Sequence, residues 1–142
     1  MAAKRLFGIA LVLVAVLAAL GLDWVGRDHQ PRAYRIDFVR GTEIAASGER
    51  RLERVAAAMA RQPAYDAVIV GHTGTRGSAA ANRALGQERA QAVARILRAA
   101  GIADARIQTF SAGGEEPLER GADEGERGYQ ARLSRAEVKL NP

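Results

Sequence analysis

Between Ala33 and Leu140 the sequence predicts an α/β (α+β) two-layer sandwich, in the order β-α-β-α-β-β, with the helices on one face of a mixed sheet. Three observations carry this. Two segments with helical apolar periodicity each lie between short strand-like segments, so the strands are joined by crossovers. The run Ala67-Val68-Ile69-Val70 is apolar throughout and stops at a glycine-rich loop, as a strand covered on both faces would. Ala136 to Leu140 alternates apolar and polar residues and closes the chain as a strand.

The first strand is read from Tyr34, Ile36 and Phe38 alternating with Arg35, Asp37 and Val39. Ser47 is the expected N-cap of a helix that runs to about Arg61. In it Leu52, Val55, Ala56 and Met59 share a face, and Pro63 ends it. The second helix is expected over Asn82 to Ala100, with Leu85, Val93, Ile96, Leu97 and Ala100 as its inward stripe and Gly101 at its C-cap. Ile107 to Ser111 is the third strand. Glu115 to Arg132 is a polar, glycine-containing excursion with room for a short helix.

Ahead of this domain (33–142) stand a linker, 23–32, and an apolar N-terminal segment, 1–22. Lys4 and Arg5 precede the uncharged run Leu6 to Leu22, which as a helix spans about 26 Å. That length lies between a signal-peptide core and a membrane helix. An uncleaved anchor is the favoured reading, with a signal cleaved after Ala18 or Gly21 as the alternative. Both keep the cations on the cytoplasmic side and export the rest. The ten-residue linker reaches at most about 35 Å.

The formal charge is +5, and Lys4 and Lys139 are the only lysines. The arginines are interspersed with acids, as in Glu49-Arg50-Arg51-Leu52-Glu53-Arg54, and no basic run alternates with aromatics. This argues for a solvated, ion-paired surface and against a nucleic-acid partner. With no cysteine there is no disulfide framework, thiolate metal site, cysteine nucleophile or acylated N-terminal cysteine. His29 and His72 are too few to assemble a zinc site or a His-based catalytic pair. A phosphate loop over Gly71, Gly74, Gly77 and Ser78 lacks the lysine that such loops need. No Gly-x-Ser-x-Gly elbow occurs, and the adjacent Glu115 and Glu116 diverge too much for an acid/base pair. We therefore expect no enzyme, no cofactor and no metal.

One set of motifs points further. Gly71-His72-Thr73-Gly74 with Gly77 forms a loop, and Asn82-Arg83-Ala84-Leu85-Gly86-Gln87-Glu88-Arg89-Ala90 opens the long helix behind it. Ile36-Asp37-Phe38, Ala112-Gly113-Gly114-Glu115-Glu116-Pro117 and Leu133-Ser134-Arg135-Ala136-Glu137-Val138 follow in fixed order around them. Together they resemble the OmpA-like domain, the peptidoglycan-associated module of envelope proteins, over nearly all of Ala33 to Leu140. In that family the loop usually reads Gly-His-Thr-Asp, and its aspartate and the helix arginine hold the zwitterionic end of diaminopimelate.

The resemblance places Thr73, Gly74, Asn82 and Arg89 at the peptidoglycan-binding positions. Arg89 would take the carboxylate, because a planar two-pronged cation matches that group. The ammonium has no matched partner, because Gly74 stands where the family has its aspartate. Losing one member of such a pair costs about 2–5 kcal/mol, so weakened binding is expected unless Glu115, Glu116 or Asp37 reaches in. Arg89 also falls on the apolar stripe, where a charge wants an explanation beyond surface solvation. His72 is expected at a strand end with its ring hydrogen-bonded inside the loop.

The expected protein is thus an exported, non-catalytic envelope module, held at the inner membrane by residues 6–22 or released by cleavage. Its partner is a peptidoglycan stem peptide or, alternatively, another envelope protein.

Overall fold

The computed structural model describes residues 32–142, and Pro31–Pro142 forms one compact unit. The expectations for the apolar segment and most of the linker fall outside the described residues. Among the described residues, no helix is long and apolar enough to cross a membrane.

The elements follow the expected order, with a short strand, a 3-10 turn (Asp104–Arg106) and the short helix of the excursion added. Strand β1 (Arg32–Arg40) turns into the two-residue β2 (Glu43–Ile44). Helix α1 (Ala46–Arg61) leads to β3 (Asp66–His72), and α2 (Ala79–Ala99) leads to β4 (Ile107–Gly113). The excursion then forms α3 (Glu126–Leu133), and β5 (Arg135–Asn141) closes the domain. The sheet order is β2-β1-β5-β3-β4. Strands β3 and β4 run parallel, and every other pair is antiparallel. The last strand therefore inserts between the first and the third, with Val138 opposite Tyr34 on one side and Ile69 on the other.

The core lies between the helices and one face of this sheet. Ile36 and Phe38, Ala67 and Ile69, and Ala136, Val138 and Leu140 point inward from successive strands. Leu52, Val55, Ala58 and Met59 meet them from α1. The run Ala67–Val70 is not covered on both faces as its composition suggests. Ala67 and Ile69 are buried while Val68 and Val70 are only half-buried, because the two long helices pack against one side alone.

Three local expectations are corrected. Ser47 does not cap α1; the N-cap is Ala45, with no side-chain bond. Its amide donates instead to the Asp37 carbonyl at 2.9 Å, so contact with β1 sets where the helix begins. Helix α2 starts a turn earlier than Asn82, capped by the Ser78 hydroxyl accepting from the Ala81 amide. The inward stripe of α2 is also shifted in part: Val93 and Leu97 are buried as expected, together with Gly86, Arg89, Ala90, Ala92 and Ala94, whereas Ile96 is 39% exposed and Ala100 is exposed.

That shift has a steric cause. A Cβ added to Gly71 would lie 1.8 Å from the Gly86 carbonyl oxygen, and one added to Gly86 would lie 2.7 Å from the Gly71 oxygen. Helix and strand touch backbone to backbone, so small residues face the sheet and Ile96 is pushed to the rim. The C-terminus of α2 does close as expected. Gly101, at φ +88, donates to the Arg98 carbonyl while Ile102 donates to Leu97, the paired bonds of a Schellman ending.

These contacts set the expected stability losses in urea melts. Leu97→Ala costs about 2–5 kcal/mol through lost burial and a residual cavity. The exposed Arg95→Ala costs less than about 0.5 kcal/mol. Gly71→Ala costs about 3 kcal/mol or more, because backbone rather than a side chain must move aside.

Candidate functional site

The loop between β3 and α2 is held from below. The Thr73 amide donates to the Gly113 carbonyl at 2.7 Å, and the Thr73 hydroxyl donates to the Gly74 carbonyl at 3.0 Å. Asn82, inside the first turns of α2, donates from Nδ2 to the Arg76 carbonyl at 3.0 Å. Thr73 is buried, so its side chain fixes the loop rather than facing outward. A cavity of about 150 Å³ opens beside it, lined by Thr75, Gly77, Ala79, Asn82, Gly114 and Glu115. The structure thus gathers Gly74, Asn82 and Glu115 about one loop and places Thr73 and Arg89 beneath it.

Arg89 has the explanation its position called for. It is 3% exposed, with Nε donating to the Gly41 carbonyl and Nη1 to the His72 carbonyl, each at 2.8 Å. Its guanidinium lies 5.1 Å from the centre of the Phe38 ring, within cation–π range. It therefore ties the β1–β2 turn to the end of β3. Burial pulls its pKa below the ordinary arginine value. No carboxylate among the described residues pairs with it. The other buried arginine among the described residues, Arg135, is paired with Glu137 at 2.8 Å. Arg89 is a desolvated cation whose neutralising anion is not supplied by these residues.

The acids considered as stand-ins for the missing aspartate are largely occupied. Asp37 accepts from Arg35 at 2.6 Å and from Arg51 at 2.7 Å. Burial pushes its carboxyl up, but those two bonds and charges outweigh it and hold the pKa below the ordinary value. Glu115 lines the cavity and is ion-paired with Arg83. Glu116 is exposed, and its carbonyl accepts from Arg135.

His72 departs from expectation. It ends β3 and is 1% exposed, yet neither ring nitrogen has a hydrogen-bond partner among the described residues. The nearest carboxylate, Glu137, is 3.9 Å from Nε2 and already engaged by Arg135. Sequence reasoning also missed Gln130 of α3. Its Oε1 accepts from the Thr75 amide at 3.1 Å, and its Nε2 donates to the Thr75 hydroxyl at 3.0 Å. No pattern within the excursion announces that contact, which spans 55 residues.

Fold and loop together define a small α/β domain that presents a polar loop at the end of a parallel strand pair, over a buried guanidinium. The OmpA family model matches residues 38–131, so this chain belongs to the OmpA family. The peptidoglycan-associated lipoprotein of Pseudomonas aeruginosa is 34% identical over 102 residues, which is 72% of this chain and 51% of that protein. That of Legionella pneumophila is 42% identical over 71 residues, 50% of this chain and 40% of that protein. The chain thus spans about half the length of such relatives, or less. Among solved structures, the peptidoglycan-associated lipoprotein from Burkholderia pseudomallei superposes with a TM-score of 0.65 at 32% identity, covering 78% of this chain and 90% of that one. The OmpA-like domain of FopA1 from Francisella tularensis gives 0.64 at 22% identity, over 78% and 72% of the two chains, a likeness of fold.

The His72 ring yields a pH dependence. Burial lowers its pKa from the ordinary 6.5, and the Arg135 and Lys139 cations act in the same direction against Glu137 and Glu116. The unfolded chain then takes up the proton first. The contribution is complete above pH 6.5 and is lost as pH falls towards the lower folded value. Asp37 and Glu137 also have lowered folded values, but their contributions are lost only below their ordinary 3.8 and 4.5. Between pH 6.5 and about 5 the wild-type urea midpoint is expected to drop, and that of His72→Leu to stay level. Equal slopes for the two would remove His72 as the cause.

Proposed function

We propose that this domain is a non-catalytic binding module of the cell envelope that holds the peptidoglycan stem peptide through a carboxylate at Arg89, more weakly than a loop with both charges would. The observation that carries this is the buried guanidinium with no carboxylate partner among the described residues, set under the loop that the family match covers. A buried charge left unneutralised is costly, and an anionic ligand would offset that cost. The relatives in Pseudomonas aeruginosa and Legionella pneumophila are named for association with peptidoglycan, which supports the same ligand class. Lys4 and Arg5 ahead of the uncharged run Leu6 to Leu22 support an inner-membrane anchor with the domain facing the periplasm, a cleaved signal being the alternative.

Binding is weakened because Gly74 brings no carboxylate to the loop, and Asp37 and Glu115 are already held by arginines. The test is sedimentation of the full chain in detergent with purified peptidoglycan, competed by free diaminopimelate. Arg89→Lys retains the charge but loses the planar fork, and a thermal melt establishes that the variant is folded. Binding is expected to fall about tenfold or more in Arg89→Lys. Binding that ignores both Arg89→Lys and diaminopimelate would overturn the site. No binding at all would leave an envelope protein as the partner.

A further inference from the structure

Gly74 leaves a space that another element fills. A Cβ placed on Gly74 would lie 2.2 Å from Oε1 of Gln130 and 3.4 Å from its Cδ. The carboxamide of α3 therefore stands where a side chain of the loop would begin. Its orientation is fixed by its neighbours. Nε2 donates to the Thr75 hydroxyl and to Glu126 Oε1, each at 3.0 Å, and Glu126, as a carboxylate, only accepts. Oε1 receives the Thr75 amide at 3.1 Å. Both amide hydrogens are thus used, and one lone pair on Oε1 remains. What this point offers a ligand is a single neutral acceptor.

The surrounding charges favour the same choice. Glu126 is taken up by Arg120 at 3.0 Å and Arg76 at 3.5 Å, and Glu115 by Arg83. An ammonium brought here would lose water and meet a neutral oxygen, with nearby carboxylates already paired. An uncharged N–H would satisfy the same oxygen at a smaller desolvation cost.

We propose that Gln130 is the specificity-determining side chain of this site, and that the site prefers a carboxylate ligand whose neighbouring amine is acylated over one with a free ammonium. In a stem peptide this is diaminopimelate whose side-chain amine is already in a peptide cross-link. The proposal rests on the reading of Arg89 as the carboxylate partner.

The experiment is calorimetry of the full chain in detergent with two probes, a diaminopimelate-containing muropeptide with its side-chain amine free and the same compound with that amine acetylated. Wild type is expected to bind the acetylated probe about tenfold more tightly, and Gln130→Glu to reverse the order. A wild-type preference for the free amine, lost in Glu116→Gln, would overturn the proposal and assign the ammonium to that acid. An unchanged ratio in Gln130→Glu, with binding still dependent on Arg89, would overturn it while leaving the proposed function intact. If neither probe nor peptidoglycan binds wild type, both fall. A ligand-free arm reads the packing alone. Gly74→Ala is expected to lower the thermal midpoint, and less so when combined with Gln130→Ala. Additive losses would remove Gln130 from that space.

Discussion

The contact between the backbones of Gly71 and Gly86 is the constraint from which much of this domain follows. With a Cβ on Gly71 only 1.8 Å from the Gly86 oxygen, neither position accepts a side chain without separating helix from strand. Because α2 sits that low on β3, its inward face opens on Gly86, Ala90 and Ala94, and the large aliphatics Val93 and Leu97 enter the core towards its C-terminal half. Arg89, three residues after Gly86 and so on the same face, is carried to the His72 carbonyl and the face of the Phe38 ring. Asn82, one turn before it, reaches the loop carbonyl of Arg76. Core packing and site geometry thus share one cause.

At two glycines a polar group from a distant segment fills the vacated space. Beside Gly86 it is the Ser111 hydroxyl, 2.3 Å from where a Cβ would be, which donates to the Arg83 carbonyl and accepts from the Gly113 amide. Beside Gly74 it is the Gln130 carboxamide. Both groups make hydrogen bonds there, so the space beside each glycine is occupied by polar contacts from another segment. At Gly74 the group that fills the space is a neutral amide.

The arginine-rich composition has a related use. Arg106 donates to the Met59, Gln62 and Tyr65 carbonyls and so fastens the end of α1, where four carbonyls lack helical partners. Arg35 reaches the Arg132 carbonyl, and Arg132 in turn reaches Glu119 and Glu124. A guanidinium with several fixed donors can join segments in this way, whereas a lysine ammonium is a single point. Much of the positive charge is thus engaged in internal ties and ion pairs.

Strand alternation, two helical periods and the glycine at the end of α2 were legible because each depends on neighbours in sequence. The buried stripe of α2 was misphased because Ile96 outweighs alanine in any hydrophobic reading, while the Gly71–Gly86 approach that decides the matter joins two elements. His72 was expected to be hydrogen-bonded because its residue type permits it; only the Arg135–Glu137 pair shows that its neighbour is already engaged. Gln130 was invisible for the same reason, lying on a short helix whose relation to Thr75 exists only in three dimensions. Arg89 was legible by motif, but its hold on the Gly41 and His72 carbonyls was not. It holds two carbonyls for the fold and retains a charge that no described carboxylate answers. A residue in that position cannot be lost without loosening the loop. Its contacts, two carbonyl oxygens and an aromatic face, are all to neutral groups, so the fold holds a desolvated guanidinium in place without a described counter-ion.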